Sequence, residues 1–300
     1  MNTQHNRSYR IGLIGQGIQG SLSPAMHERA AAREGFEYTY ELIDLAKLQK
    51  DVSALPELLR AAENQGFRGL NITHPCKQAV IPYLDELSKD AREIGAVNTV
   101  VFDKGRRIGH NTDCWGFAQA FQAGASGAKL DRVVQLGAGG AGAAVAHAIL
   151  DLGAQHLLVN DRDQSRAERL AADLCVHFGP GRAVAVADVA AAMRTATGMI
   201  HATPTGMTSH PGLPLQKEWL ARSHWIAEIV YFPLETELLR VAREMGCRTL
   251  DGSGMAIYQA VGAFHLFTGV LPNAQDMRRD FDELVNLRRS QLTEMSAAAQ

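Results

Sequence analysis

The chain has 300 residues, a formal net charge of −2 and 46% hydrophobic residues, a composition typical of a globular enzyme with one large or two medium domains. It has no basic block, so we expect no nucleic-acid partner, and no apolar run of the ~18 residues that a membrane span needs, so we expect no membrane association. The first ten residues lack a signal-peptide core and the four cysteines form no CxxC pair, so we expect a cytoplasmic protein with free thiols. Both a monomer and a homodimer are compatible with the sequence.

Strand and helix patterns alternate along the first part of the chain. YRIGLIG is a predicted strand, SPAMHERAAAREG a helix with Pro24 near its first turn and Gly35 at its end, and YTYELID a second strand. A helix around PELLRAAENQG, the strand FRGLNIT and a helix after Lys77 follow. NTVVFDKGRRIGHN has the pattern of a β-hairpin with its turn at DKG. These segments predict an α/β unit that ends near Asp113.

A second series begins after Asp113 and ends near Gly252. It contains the strand RVVQLG, a helix from Ala141 to Leu152, and then, in order, HLLVND, SRAERLAADLCVHFG, AVAVA, AAAMRTA, GMIHAT, HWIAEIVY and ETELLRVAREMG. Short apolar strands bounded by glycine are typical of sheets covered by helices on both faces. The sequence therefore predicts an α/β fold with two units, followed by an apolar helix over 255–267, which should be buried, and a charged last helix.

A glycine-rich segment follows the strand RVVQL and opens the next helix. It reads Gly137-Ala138-Gly139-Gly140-Ala141-Gly142 and matches GxGxxG in the context that a dinucleotide-binding loop requires. The first glycine permits a tight turn, the second lets a pyrophosphate approach the backbone, and the third lets helix and strand pack closely. The helix N-terminus offers N–H groups to the anion. The alternative is a glycine-rich turn without a ligand.

The next strand is followed by Asp161-Arg162-Asp163, at the position that contacts the adenosine ribose. An acidic residue there accepts hydrogen bonds from the ribose hydroxyls of NAD, whereas an arginine accommodates the 2′-phosphate of NADP. Asp161 lies nearest to the strand end and would repel a phosphate, so the sequence favours NAD, with NADP as the alternative. A structural alternative is that Asp161 only caps the following helix.

Polar residues also follow the strands of the first unit. Ser21 and Ser23 stand in the turn after the first strand, where two hydroxyls can hold a carboxylate; the alternative is that Ser23 caps the helix with Pro24 at its first position. Further along are Asn71, Thr73, Lys77, Asn98, Asn111, Thr112 and Asp113. Amides, hydroxyls, one lysine and one aspartate suit a small polyhydroxylated ligand, whereas a phosphate ligand would bring more arginines. Any single one of these residues has the alternative role of satisfying loop backbone groups.

Lys77 is the most unusual member of this set, because an ammonium near a helix N-terminus opposes the helix dipole. Its position indicates a role other than helix stability. The sequence has no HExxH, no GxSxG and no histidine pair at metal-ligand spacing, so we expect neither a bound metal nor a serine nucleophile.

Taken in order, the segments SLSPAMH, NITHPCK, GAVNT, GHNTDCWG, GAGGAG, ATPTGM and DGSGMAIYQA resemble the shikimate and quinate dehydrogenase family. The resemblance runs from about Gly12 to about Gly269. It implies a discontinuous substrate domain, residues 1–113 and 252–300, with a Rossmann NAD(P)-binding domain, residues 114–251, inserted between the two parts. It also implies hydride transfer between the cofactor and the ring secondary alcohol of shikimate or quinate, giving 3-dehydroshikimate or 3-dehydroquinate.

The resemblance assigns roles to individual residues. It implies Lys77 and Asp113 as the catalytic pair. The implied substrate-binding residues are Ser21, Ser23, Thr73, Asn98, Asp113, Tyr231 and Gln259, and the implied cofactor-binding residues are Gly137, Ala138, Gly139, Gly140, Ala141, Gly142, Asp161, Arg162, Thr203 and Gly254. The chemistry agrees, because oxidation of an alcohol needs a base for its proton and a hydride acceptor. Lys77 can serve as the base, with Asp113 orienting it.

The chain departs from the family pattern in four places. Asp161-Arg162-Asp163 replaces the frequent NRT, which favours NAD as in the quinate/shikimate branch. His201 replaces the usual asparagine of NATxxGM, Cys114 a common glycine, and Cys76 a frequent larger residue. The two cysteines suggest the hypothesis of a thiol-sensitive site. The alternatives to an NAD enzyme are a biosynthetic NADP-dependent shikimate dehydrogenase and a non-catalytic ligand sensor; a sensor should have lost the lysine–aspartate pair or the glycine loop, and both are present.

Overall fold

The computed structural model describes residues 7–298, with side chains through residue 291. The strands are β1 (Ser8–Gly15), β2 (Glu37–Asp44), β3 (Gly69–Ile72), β4 (Glu86–Leu87), β5 (Thr99–Asp103), β6 (Arg106–His110), β7 (Arg132–Leu136), β8 (His156–Asn160), β9 (Ala183–Ala185), β10 (Gly198–His201), β11 (Trp225–Glu228) and β12 (Arg248–Leu250). The helices are α1 (Ser23–Arg33), α2 (Leu45–Leu48), α3 (Leu55–Asn64), α4 (Cys76–Ala79), α5 (Lys89–Ile94), α6 (Asp113–Gly124), α7 (Gly140–Asp151), α8 (Gln164–Phe178), α9 (Val189–Met193), α10 (Glu237–Glu244), α11 (Ser253–Thr268) and α12 (Ala274–Ala298).

The chain forms two compact units. The first contains the described residues up to Ser88, Val97–Thr112 and the chain from Ala260 onward; the second contains Lys89–Ala96 and Asp113–Gln259. Asp113 and the segments 89–96 and 252–259 thus lie with the second unit, whereas the sequence analysis placed them with the first. The reason is packing, because Ile94 and Met255 belong to the buried core of the second unit.

The first unit has a six-stranded sheet in the order β2-β1-β3-β5-β6-β4. β1 pairs in parallel with β2 and β3, whereas β5 runs antiparallel to β3 and β6. The carboxyl ends of β1, β2 and β3 therefore meet the amino end of β5 at one edge. The predicted hairpin is confirmed: Lys104 and Gly105 join β5 to β6 with φ of 51° and 75°, the two positive φ values of a type I′ turn.

The second unit has a six-stranded, fully parallel sheet in the order β12-β11-β10-β7-β8-β9. This is the doubly wound Rossmann order, in which the strand order reverses between the first and fourth strands of the unit, here β7 and β10. The predicted α/β fold with a Rossmann unit is thus confirmed. The glycine-rich segment follows β7, at the reversal point where such sheets bind their ligands.

The helix predicted after Lys77 is shorter than the sequence pattern indicated. α4 ends at Ala79 and a 3₁₀ turn, Ile81–Tyr83, follows it. Pro82 explains the break, because proline lacks the N–H that would continue the helix and disfavours helical backbone in the residue before it. A helix of four residues has little dipole, so the dipole argument for Lys77 is weak.

His27, on the core face of α1, gives a prediction about pH. It is 1% exposed, its Nδ1 lies 3.0 Å from the Tyr38 hydroxyl, and its ring lies 5.9 Å from that of Phe264. Burial lowers the pKa of His27 from 6.5 to about 3. Below pH 6.5 the unfolded chain therefore binds a proton that the folded chain does not bind, so stability falls as the pH falls toward 3.

We expect this residue alone to lower the free energy of unfolding by about 2 kcal/mol between pH 6.5 and pH 5, from about 1.4 kcal/mol per pH unit. Urea unfolding at several pH values measures this change in the free energy of unfolding. His27→Phe should remove that part of the slope, whereas His265→Gln, at an exposed position of the first unit, should keep it. An unchanged slope in His27→Phe would contradict the assignment.

Candidate active site

The loop after β1, which carries Ser21, is anchored by Asp44 at the end of β2. The Asp44 carboxylate accepts hydrogen bonds from Gly17 N at 2.9 Å, Ile18 N at 3.1 Å and Gln19 Nε2 at 3.0 Å. Burial acts to raise the pKa of Asp44, but these hydrogen bonds outweigh it and the pKa lies below its ordinary value. The carboxylate therefore stays charged and holds the loop.

Ser21 and Ser23 form the turn into α1. The Ser21 hydroxyl accepts a hydrogen bond from Ser23 N at 3.2 Å. Leu22 is the N-cap residue of α1 and makes no side-chain cap. The capping role that was the alternative for Ser23 is thus wrong: Ser23 is the first residue of the helix, and the main-chain N–H of Ser23 is fixed by Ser21.

The turn after β3, which carries Thr73 and Lys77, is packed against the loop after β1. Thr73 N donates to Ile14 O at 2.9 Å and Gln16 N donates to His74 O at 3.0 Å. A Cβ at Gly15 would lie 2.3 Å from Thr73 Cγ2, so only glycine permits this approach. Lys77 is half-buried in α4, and its carbonyl accepts a hydrogen bond from Val97 N at 2.8 Å. The backbone of Lys77 is therefore held against the segment that precedes β5.

A buried amide and hydroxyl network lies beside this turn. Asn98 Oδ1 accepts from Thr112 N at 2.8 Å and Thr99 Oγ1 at 3.0 Å, and Asn98 Nδ2 donates to Thr112 Oγ1 at 2.8 Å. The second N–H of Nδ2 can serve a ligand hydroxyl. Asn71 accepts a hydrogen bond from the Tyr40 hydroxyl at 2.8 Å and donates one to Thr99 Oγ1 at 3.0 Å. These contacts give Asn71 a structural role. One sheet edge thus carries Ser21, Ser23, Thr73, Lys77 and Asn98.

The other predicted substrate residues belong to the second unit. Asp113 is the first residue of α6 and is buried. Tyr231 follows β11 and is exposed. Gln259, on α11, donates from Nε2 to Ala256 O at 2.8 Å. A Cβ at Gly116 would lie 2.8 Å from Gln259 N, so this glycine lets α6 and α11 pack closely.

The glycine loop after β7 has the geometry that its motif predicts. Gly137 has a φ of 105°, and a Cβ there would lie 2.5 Å from Ala202 O; a Cβ at Gly142 would lie 2.3 Å from Gly137 O. Gly139 is the N-cap residue of α7, without a side-chain cap, so the N–H groups of the first turn can bind an anion. The loop therefore fits a pyrophosphate in the way expected of a dinucleotide site.

Gln135 supports the glycine loop, and the sequence analysis did not predict this role. It is fully buried in β7, and its Nε2 donates to Gly137 O at 2.9 Å and Gly142 O at 2.8 Å. It therefore ties the first glycine of the motif to the third. The signal was present in the sequence as one polar residue within the apolar strand RVVQL.

Asp161 lies directly against the glycine loop. Its Oδ2 accepts a hydrogen bond from Ala138 N at 2.8 Å, and its Oδ1 accepts from Asp163 N at 2.9 Å. The N-cap of α8 is Asp163, which accepts from Ser165 N. The capping alternative for Asp161 is therefore wrong, and its carboxylate marks the edge of the predicted ribose site. Arg162 beside it is exposed.

Two further predicted cofactor residues lie at the same end of the second sheet. Thr203 follows β10, and its Cγ2 would lie 3.1 Å from a Cβ at Gly137. Gly254 lies in the first turn of α11. A Cβ at the neighbouring Gly252 would lie 2.7 Å from the carbonyl oxygens of Ile229 and Val230, so the start of α11 packs on the segment after β11.

The structure corrects the hypothesis of a thiol-sensitive site. Cys76 is fully buried, and burial raises the pKa of its thiol to about 11. Burial, with the carboxylates of Asp151, Asp90 and Asp113, raises the pKa of Cys114 to about 12. Both thiols are therefore protonated near neutral pH and are poor nucleophiles.

We expect N-ethylmaleimide at pH 7.5 to leave Cys76 and Cys114 unlabelled and activity unchanged, because less than about 0.1% of either thiol is ionised. Peptide mass spectrometry after timed labelling measures the fraction of each thiol that has reacted. Urea-unfolded protein is the control and should be labelled at both positions. Labelling of either thiol in the folded protein with loss of activity would contradict this expectation.

The described part of the chain offers neither a metal-binding cluster nor a membrane-spanning helix. Among residues 7–291, whose side chains are described, no three histidine, cysteine, aspartate or glutamate side chains are grouped so as to hold a metal ion. In the same range, no helix combines the length and apolar character needed to cross a bilayer.

Comparison with known proteins identifies the family. Residues 13–100 match the shikimate dehydrogenase substrate-binding domain, and residues 252–279 match the shikimate 5′-dehydrogenase C-terminal domain. A shikimate dehydrogenase (NADP⁺) of Streptomyces avermitilis is 58% identical, with 92% of this chain and 96% of the relative covered. A quinate/shikimate dehydrogenase (NAD⁺) of Corynebacterium glutamicum strain R is 49% identical, with 92% and 99% covered.

Solved structures agree with these relatives. Quinate dehydrogenase from Corynebacterium glutamicum in complex with NAD superposes with a TM-score of 0.85 at 48% identity, covering 93% of this chain and 100% of the other. Shikimate 5-dehydrogenase from Thermus thermophilus in complex with NADP(H) and shikimate gives a TM-score of 0.80 at 37% identity, covering 92% and 99%. This chain therefore belongs to the shikimate dehydrogenase family, and it is an enzyme.

Proposed function

We propose that this enzyme oxidises the ring secondary alcohol of shikimate or quinate, with NAD preferred as hydride acceptor, and gives 3-dehydroshikimate or 3-dehydroquinate. The observation that carries the proposal is the sheet edge of the first unit, where one lysine, Lys77, stands among hydroxyl and amide groups. Such a set suits a ring with several hydroxyls. Relatives named for the same reaction support it.

Each residue of this edge has a proposed role. Ser21 and Ser23 would bind the substrate carboxylate, and Thr73 and Asn98 would bind ring hydroxyls. Lys77 would take the proton from the reacting hydroxyl, which a positioned base must do as the hydride leaves. From the second unit, Asp113 would orient Lys77 and hold a neighbouring hydroxyl. Tyr231 and Gln259 would complete substrate binding.

The second unit would hold the cofactor. NAD, when bound, supplies the hydride acceptor. The open N-terminus of α7 and the loop from Gly137 to Gly142 would bind its pyrophosphate, and Asp161 its adenosine ribose. Thr203 and Gly254 would line the nicotinamide end.

The preference for NAD rests on Asp161. A carboxylate that lies against the glycine loop would repel a 2′-phosphate and would accept hydrogen bonds from ribose hydroxyls. The relative solved with NAD supports this choice. The second candidate is an NADP-dependent shikimate dehydrogenase, which the exposed Arg162 and the relative from Streptomyces avermitilis favour.

We also propose a cytoplasmic location and either a monomer or a homodimer. All four cysteines are free thiols, which suits a reducing compartment. Light scattering on the purified protein measures the oligomeric state.

The reaction is tested by product identification. The protein is incubated with NAD and either shikimate or quinate, reduced cofactor is followed by absorbance, and the organic product by mass spectrometry. We expect one reduced cofactor per product molecule, with the product two hydrogens lighter than the substrate. A folded protein that binds NADH but yields no such product from either acid would contradict the proposal.

A further inference from the structure

A buried histidine–glutamate pair joins the carboxyl ends of two neighbouring strands in the second unit. His201 ends β10 and Glu228 ends β11, and the parallel pairing of the strands places them side by side. His201 Nδ1 lies 2.8 Å from Glu228 Oε1, and both side chains are fully buried. Burying a carboxylate is costly unless its oxygens are paired, so the contacts around this pair define its role.

The hydrogen bonds of Glu228 fix the arrangement of hydrogens on His201. Glu228 Oε1 also accepts from Val230 N at 3.0 Å, and Oε2 accepts from the Thr236 hydroxyl at 3.0 Å. A carboxylate only accepts hydrogen bonds, so Nδ1 of His201 must carry a hydrogen. The other ring nitrogen, Nε2, lies 2.6 Å from the Thr203 hydroxyl oxygen.

Thr203 connects the pair to the proposed cofactor site. Its hydroxyl oxygen accepts a hydrogen bond from Thr205 N at 3.3 Å, which closes the turn after β10. Its methyl group lies against Gly137, the first glycine of the phosphate-binding loop. The ring of His201 therefore connects the end of β11 to the turn after β10, which lies against the glycine loop.

An asparagine, the usual family residue here, has one amide group at the end of a shorter side chain. Its amide can match the position of Nδ1, which contacts Glu228, but it has no atom at the position of Nε2, which lies further from the backbone and contacts Thr203. Glu228, 27 positions further along the chain, holds the ring of His201. The orientation of the Thr203 hydroxyl therefore depends on both residues.

We propose that His201, oriented by Glu228, is a positioning residue that holds the Thr203 hydroxyl in the orientation required to bind the nicotinamide cofactor. The inference rests on the proposed function, in which Thr203 contacts that cofactor. His201 acts through Thr203 and does not touch the substrate. Its loss should therefore weaken cofactor binding and leave binding of the ring acid unchanged.

A double-mutant cycle on NADH affinity tests this. The proteins are wild type, His201→Asn, Thr203→Val and the double variant, and Kd is measured by NADH fluorescence titration. We expect His201→Asn to raise Kd about tenfold, the equivalent of one hydrogen bond. The double variant should bind within about twofold of Thr203→Val alone, because a residue that acts through Thr203 has no effect once the hydroxyl is gone. The KM for NAD should rise, with kcat and the KM for the ring acid within about twofold of wild type.

His224→Asn is the matched control. His224 is also a buried histidine of this unit, but it precedes β11 at the opposite end of the sheet, where its Nδ1 accepts from Ala221 N at 3.1 Å. Its variant should melt at a lower temperature and bind NADH like wild type. If His201→Asn does not fold, Glu228→Asp, which withdraws the carboxylate from Nδ1, replaces it in the same cycle with the same expected direction.

The outcomes separate the two proposals. A wild-type Kd in His201→Asn, or effects of His201→Asn and Thr203→Val that simply add, would overturn the positioning role and leave the proposed reaction standing. Absence of NADH binding by the folded wild type would overturn both.

Discussion

Replacing Lys77 with methionine is expected to lower kcat by about 10²–10⁴-fold, the usual contribution of a positioned acid–base group. Methionine keeps the apolar length of the side chain and removes the ammonium. The backbone of Lys77 is held by Val97 N through its carbonyl, so the turn should keep its shape. Affinity for the ring acid and for NADH should change by less than about threefold, since the role proposed for Lys77 is in proton transfer.

Steady-state rates with saturating NAD and isothermal titration of both ligands measure this split. Lys47→Met is the matched control, because Lys47 is an exposed lysine of the same unit, and its variant should turn over like wild type. Turnover of Lys77→Met within about twofold of wild type, with intact substrate binding, would show that another group takes the proton.

Replacing Asp161 with asparagine and Asp163 with threonine together is expected to shift the enzyme from NAD toward NADP. The change recreates the NRT pattern frequent in the family, with Arg162 already in place. Asparagine removes the charge that repels a 2′-phosphate and the acceptor for ribose hydroxyls. A hydrogen bond to a charged group contributes about 1.5–3 kcal/mol, so the ratio of kcat/KM for NAD to that for NADP should fall by at least about tenfold.

Asp163→Thr alone is the control for this change. Asp163 caps α8, and threonine is also accepted at that position, so the single variant should keep the wild-type cofactor ratio. If the double variant has the same ratio of kcat/KM for NAD to kcat/KM for NADP as wild type, Asp161 does not determine the choice of cofactor.

Local sequence signals predicted much of the fold. Pro24 and Gly35 bounded α1 because their backbone preferences act within a turn, and Gly35 has the positive φ of a residue just after a helix. GxGxxG after an apolar strand located the loop, since Gly137 and Gly142 each permit a close approach of the backbone. The length of α4 was missed because Pro82 outweighed an otherwise helical pattern.

The supporting contacts of the site could not be derived in the same way. Glu228 reaches His201 across 27 positions, and Asp44 reaches Gly17 across a similar separation; neither pattern has a local signature. The assignment of residues 89–96 to the second unit was not predicted, because it depends on the hydrophobic core in which Ile94 is buried. The roles of Lys77 and Asp113 remain predictions, which kinetics must test.

The most direct test is the initial rate of alcohol oxidation for four pairs, shikimate or quinate with NAD or NADP. We predict that kcat/KM with NAD exceeds that with NADP by about tenfold or more for whichever ring acid is preferred, from the loss of a charged hydrogen bond and the repulsion at Asp161. The ratio between shikimate and quinate then identifies the substrate. Preference for NADP with shikimate, or no turnover in any pair by folded protein, would contradict the account.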